Sequence, residues 1–250
     1  MKIDITLPTD LSEIPLLRYQ KFIEMKEKSN DEEFIAQKMI QIFCGIELKE
    51  VMQIKLKDLN ELINHFTTVF KQKPKLIRKF SIEKHEFAFI PNFENISFGE
   101  YVDIEHNLQN WTTYHKAMAV MYRPVKEQYK DKYSIVDYEP NEDMQELMKF
   151  APLDVALSAS FFLQNLGAEL LNATTVYLQQ ELKKMTASTN TQNETNSVRN
   201  GDGILQSINV LKEMSPDLMK LHAHDLLNVS RISRSRKKKT KLKTEKLKDK

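Results

Sequence analysis

The side chains able to do chemistry are few and scattered. The six histidines are His65, His85, His106, His115, His222 and His224. None stands in a His-Glu-x-x-His arrangement, and only His222 and His224 are neighbours. Two residues apart on a helix, those two point in different directions, so they cannot share a metal as an i, i+4 pair would. His106 follows Glu105 and His115 follows Tyr114, settings that suit a hydrogen-bonded buried imidazole better than a general base lacking a partner. The one cysteine, Cys44, ends an apolar helical stripe with Ile40 and Phe43. With no neighbouring basic group to stabilise a thiolate, it reads as a small buried hydrophobe. Five glycines in 250 residues leave little for phosphate-cradling loops, and a single cysteine excludes an intrachain disulfide framework and a cysteine-rich zinc fold. These features predict a non-enzyme, with no cofactor and no metal site.

Two groups of residues could instead serve binding. The first is the aromatic and methionine cluster Phe98, Tyr101, Trp111, Tyr114, Met118, Met121 and Tyr122. At helical spacing such residues fill a core more often than they line a partner-binding groove or a stacking surface, though both roles are open. Arg123, just ahead of Pro124, could anchor a carboxylate or bond the carbonyls of a helix end. The second group is the C-terminal run 231–250. It holds 11 lysines and arginines against two acids, a net of +9, and leaves residues 1–230 with 26 bases and 33 acids, a net of −7. Arg234, Arg236, Lys237, Lys238, Lys239, Lys241 and Lys243 are the candidate phosphate contacts, each adding salt-sensitive, sequence-blind affinity for nucleic acid. The run carries no aromatic residue for base stacking. It could equally be a solvated extension or fold back on the acidic body.

The elements that must position these residues follow from periodicity. The alternation of KIDITL (2–7) predicts a short strand. Helices are expected over about 15–28 and from Asn30–Asp31 to a stop at Gly45. A short helical turn at Leu48–Met52 precedes an amphipathic helix carrying Leu59, Ile63, Phe66 and Phe70. After Pro74, two strands around a Glu83–Lys84 turn predict a hairpin. Ser97-Phe98-Gly99-Glu100 has the form of a capping box opening a helix through Leu108. A further helix is expected over 110–123, closed by Pro124, then a loop or irregular strand over 125–140. Asn141 caps a helix over 142–150. Residues 152–186 form the longest helical pattern, about 50 Å at 1.5 Å per residue.

The expected architecture is a mainly α body over 1–186 with a small β-hairpin element. A polar linker over 187–203 follows, then a short helical pair over 204–230 (Ile204–Met214 and Pro216–Val229) and a disordered basic tail over 231–250. The apolar stretch 151–171 contains Asp154 and Glu169, each costing about 2.5–3.5 kcal/mol at a bilayer centre, so no membrane span is expected. With no apolar leader after Met1, the cytoplasm is the expected compartment.

Three stretches carry a family likeness: residues 43–66 (FCGIELKEVMQIKLKDLNELINHF), residues 87–125 and the apolar helix opening at 151–171. Their most specific pieces are Phe98-Gly99-Glu100-Tyr101 and Met121-Tyr122-Arg123-Pro124. Over about residues 30–180 the chain resembles a family of tailed-bacteriophage proteins, encoded among virion-assembly genes and similar to tail or baseplate assembly chaperones. The resemblance implies protein–protein contacts with phage structural proteins in the host cytoplasm, or association with the virion. It carries no catalytic signature. The alternative is a nucleic-acid-associated virion or packaging protein that uses 231–250 as a phosphate tether.

Overall fold

The computed structural model describes residues 5–188. Over these the chain is mainly α with one small antiparallel sheet. The elements are α1 (Leu16–Glu27), α2 (Glu32–Cys44), α3 (Leu48–Val51), α4 (Leu56–Val69), β1 (Lys79–Ile82), β2 (His85–Phe89), α5 (Phe98–Leu108), α6 (Tyr114–Met121), β3 (Tyr122–Tyr129), β4 (Lys132–Ile135), α7 (Glu142–Met148) and α8 (Leu153–Ser188). α8 runs two residues past the expected helix end at 186, to Ser188; residues 189–250 lie outside the described residues, and with them the rest of the expected linker, the helical pair and the basic tail. Residues 5–7 form no strand; Leu7 packs on the core, and His65 Nε2 donates to the Pro8 carbonyl at 2.8 Å, holding the extended chain against α4. Among the described residues, no helix is long and apolar enough to cross a membrane.

Helix ends are satisfied by identifiable groups. Asp31 accepts from the amides of Glu33 and Phe34 at the start of α2, and Gly45 ends that helix at φ +69°, a left-handed cap that favours glycine. Arg18 of α1 donates to the Phe43 carbonyl at 3.0 Å, bonding a helix-end acceptor that would otherwise be open. Pro15 offers α1 no side-chain cap. Instead Leu16 and Leu17 donate to the carbonyls of Ala151 and Lys149, while Leu153 donates back to Ile14. The starts of α1 and α8 are thereby stitched together across 137 residues of sequence, counting from Leu16 to Leu153.

The sheet is larger than a hairpin, with strand order β1-β2-β3-β4. The helix expected to run to Arg123 ends at Met121, because Tyr122 already adopts extended angles (φ −116°, ψ 115°). Pro124 keeps Arg123 out of the helical region, and the chain continues as β3 instead. Tyr122, Arg123 and Pro124 pair with Phe89, Ala88 and Phe87 of β2, and then β3 turns to β4 past an irregularity between Val125 and Glu127. A proline is tolerated in this strand beside such a break in the ladder.

Both hairpins turn through two residues, Glu83–Lys84 and Lys130–Asp131. Glu83 (φ 54°) and Lys130 (φ 51°) sit in the left-handed region without being glycine. That geometry costs an L-residue about 1–2 kcal/mol, whereas glycine there pays about 0.5–1 kcal/mol in chain entropy. Glu83→Gly and Lys130→Gly are each expected to stabilise the chain by about 0.5 kcal/mol. Urea unfolding midpoints that fall for both variants would refute that account of the turns.

A single core links helices and sheet. On the helical side, Phe43 meets Phe22, Phe66 and Phe70 at centroid distances of 5.3, 5.5 and 5.1 Å. On the sheet side, Tyr122 packs on Phe80 and Phe89, and Phe89 reaches Phe162 of α8 at 5.6 Å. Several buried polar groups are matched as well, whereas the Tyr19 hydroxyl and Arg123 Nε have no hydrogen-bond partner. Ile77 donates to Ser158 Oγ and accepts from the Tyr122 hydroxyl at 2.7 Å, while the Tyr114 hydroxyl donates to the Ala156 carbonyl. Such pairing avoids the penalty of about 1–3 kcal/mol for an unsatisfied buried polar atom.

Candidate interaction face on helix α5

The capping box forms as the sequence spacing predicts. Ser97 Oγ accepts from the Glu100 amide at 3.2 Å, and Glu100 Oε2 accepts from the Ser97 amide at 2.6 Å. The other carboxylate oxygen of Glu100 is also engaged: Arg123 Nη2 lies 2.7 Å from Oε1, with the two side chains only 8% and 12% exposed. The two motif pieces Phe98-Gly99-Glu100-Tyr101 and Met121-Tyr122-Arg123-Pro124 therefore meet in space through a buried ion pair. Arg123 is the carboxylate anchor that its position before Pro124 suggested.

Two more residues join this cluster. The Tyr138 hydroxyl donates to Asp103 on α5, and the Arg123 guanidinium lies 6.0 Å from the centre of the Tyr138 ring. Burial first, and the hydrogen bond to Asp103 next, push the Tyr138 phenol well above its ordinary range, so it stays neutral and donating. The Nε of Arg123 is buried and has no hydrogen-bond partner. The segment after β4 is thus pinned to α5, and α5 to β3.

This anchoring fixes what α5 shows to solvent. Glu100, Ile104 and Asn107 face inward and are buried. On a helix, positions 98, 101 and 102 then share the opposite face. Phe98 is 81% exposed and Tyr101 50%, with Val102 also exposed beside them. Aromatic side chains held in water on a rigid mount cost hydrophobic free energy, at about 25 cal/mol per Å2 of apolar surface left uncovered.

The structure divides the predicted aromatic set. Tyr114, Met118 and Tyr122 are buried in the core, so they line no groove. Met121 is buried with them. Trp111 is half-buried, edge-on to Tyr19 at 4.9 Å and tilted against Tyr114 at 4.6 Å. Only Phe98 and Tyr101 of that set are presented. Val102, Asp103 and Tyr138 were missed by the sequence reading. The capping box could have given the first two, because fixing Ser97 as the cap sets the inward and outward faces of every later turn. Tyr138 carries no such local signal. Arg234, Arg236, Lys237, Lys238, Lys239, Lys241 and Lys243 lie outside the described residues, as do His222 and His224.

The remaining reactive groups have structural surroundings. Cys44 is half-buried, and its thiol is pushed up to about 11 by burial despite the nearby Arg18 guanidinium, so it is a poor nucleophile. His85 and His106 are exposed. His115 is buried, and its Nδ1 accepts from the Gln20 amide nitrogen at 3.0 Å, which also donates to the Trp111 carbonyl at 2.7 Å. Burial, reinforced by Lys149, lowers the His115 pKa to about 4. Among the described residues, no three His, Cys, Asp or Glu side chains gather as metal ligands.

A pH dependence follows from His115. An unfolded imidazole titrates near 6.5, so between about pH 6.5 and 4 the unfolded chain binds the proton that the folded chain refuses. Stability from this group is full above about pH 6.5 and falls as the pH drops toward 4, by about 3 kcal/mol. Urea unfolding at pH 7, 5.5 and 4.5 is expected to show His115→Leu losing less stability on acidification than the parent chain. Equal losses would place the acid sensitivity elsewhere.

Comparison of the chain with protein-family models, with curated proteins and with solved structures finds no match.

Proposed function

We propose that this chain is a non-catalytic interaction factor whose contact surface is the Phe98–Tyr101–Val102 face of α5. The observation that carries the reading is an apolar, aromatic helix face left in water while the opposite side of the same helix is bolted down by a buried ion pair. Aromatic side chains with two rotatable bonds bring large contact area at low ordering cost, which is why they dominate binding hot spots. A mount that holds them in place lowers that cost further. An apolar patch of this kind marks a protein-contact site on a water-soluble surface.

The sequence resemblance to tailed-bacteriophage assembly proteins supplies the partner class. On this reading the factor assists tail or virion assembly by covering apolar surface of a structural protein until that surface is buried in the particle. Co-expression of the full chain with the tail and neighbouring virion genes, followed by affinity capture and mass spectrometry, tests it. The expected result is one structural protein recovered in stoichiometric amount and kept in solution by the chain. Recovery of none, with every structural protein equally soluble with or without the chain, would sink the proposal.

A further inference from the structure

Charge is segregated along the described body. Residues 71–84 carry six bases and one acid, whereas 87–121 carry one base and four acids, and 136–188 three bases and eight acids. The basic segment is the strap that joins α4 to β1, together with the first hairpin. Exposure alternates along it: Lys73 and Lys75 stand in solvent, while Pro74 and Leu76 are half-buried. Lys71 and Arg78 are exposed as well. The strap is held down at its far end. Ile77 donates to Ser158 Oγ at 3.1 Å and accepts from the Tyr122 hydroxyl, and the Arg78 carbonyl accepts from the Phe89 amide at 2.8 Å. Among the described residues, none of Lys71, Lys73, Lys75 and Arg78 forms an ion pair with an acid.

Lys79 joins this strap to a second basic element. Its Nζ donates to Gln128 Oε1 at 2.6 Å and lies 4.9 Å from the centre of the Tyr133 ring, tying β1 to the β3–β4 hairpin. That hairpin presents Lys126, Lys130 and Lys132, all exposed. Tyr129, next to Gln128, is 74% exposed, with Lys130 Nζ 5.6 Å from its ring centre. Two basic segments distant in sequence therefore meet at Lys79, beside an aromatic ring in water.

We propose that the strap and the β3–β4 hairpin bind the sugar-phosphate chain of single-stranded nucleic acid. Cations without a counter-charge release salt ions from the phosphates they contact, which gives affinity blind to sequence. An exposed tyrosine stacks on an unpaired base, a contact that a duplex withholds. A strap already fixed by Ile77 and Arg78 gives up little freedom on binding. The acidic remainder of the body repels a duplex more than a single strand, because a duplex brings twice the charge per length. This surface shares no residue with the α5 face.

The test uses the full-length chain with the seven basic residues from Arg234 to Lys243 changed to Gln, so that they contribute no contact. Anisotropy of a labelled oligothymidylate of about 16 nucleotides reads binding across salt concentrations. This chain is expected to bind, with log affinity falling linearly with log salt. Adding Lys71→Gln, Lys73→Gln and Lys75→Gln should weaken binding and reduce the steepness of that line by about 2, at about 0.7 per lost contact. Removing three exposed charges elsewhere, by Lys49→Gln, Lys55→Gln and Lys57→Gln, should leave the steepness unchanged. Tyr129→Ser should weaken binding about fivefold or more at the same steepness. Absence of binding would overturn the proposal, as would a steepness indifferent to the strap variant or lowered equally by the control. So would unaltered binding in Tyr129→Ser. A duplex of the same length, or polyglutamate, competing as well as the oligothymidylate would reassign the surface to a duplex or to an acidic protein.

Discussion

Arg123→Met is expected to lower the unfolding free energy by about 3–4 kcal/mol, among the largest single losses in the chain, because it strands the Glu100 carboxylate in the interior. The loss has a specific cause that a second substitution exposes. Methionine roughly keeps the volume of the arginine stem, so packing changes little. What remains is a carboxylate with no counter-charge, one of its oxygens still bonded to the Ser97 amide and the other left 2.7 Å from nothing that can donate. Glu100→Gln in the Arg123→Met background removes the charge while a glutamine can still reach back to the cap amide. The double variant should recover about 1–3 kcal/mol of the loss. Urea unfolding of the parent, both single variants and the double variant measures this coupling. A loss below about 1 kcal/mol in Arg123→Met would mean that water screens the pair, as it does exposed ion pairs.

Much of this arrangement was legible before any coordinates, and the reasons differ from element to element. The Ser97 box, the Asp31 cap and the Gly45 stop are local: each depends on residues within four positions, and each formed where its spacing predicts. The Glu83–Lys84 turn was equally plain, since two alternating runs flank it. The rest of the sheet was not. Tyr122 to Tyr129 contains a proline and follows directly on helical residues, so its local pattern favoured a helix end and then a loop or irregular strand; pairing with β2 and β4 decides for the strand. The aromatic set shows the same limit. Spacing puts Phe98, Tyr114 and Tyr122 on helical or extended turns alike, but which of them is wet depends on contacts from distant segments. Ala156 of α8 takes the Tyr114 hydroxyl, Ile77 takes that of Tyr122, and the outward side of α5 meets neither. Long-range partners, not composition, separate core from surface here.

That separation yields the second large effect. Phe98→Ser with Tyr101→Ser is expected to leave stability within about 0.5 kcal/mol, since neither side chain supports the core and serine is close to phenylalanine and tyrosine in helix propensity. Partner capture should fall about 100-fold or more, because two aromatic anchors at a contact centre are each worth about 2 kcal/mol or more. Met118→Ala gives the opposite pattern. It opens a cavity under α6 at a fully buried site and is expected to cost about 2–4 kcal/mol of stability. Once differences in folded fraction are corrected for, capture by Met118→Ala should match the parent. Titrating the recovered structural protein against each variant, alongside urea unfolding of the same preparations, separates the two quantities. If Met118→Ala weakens capture in folded protein while Phe98→Ser with Tyr101→Ser does not, the contact lies over α6, and the exposed aromatics of α5 have another use. The buried ion pair gives the comparison its force, since a helix held by Glu100 and Arg123 keeps its inward register when its outward side chains are removed.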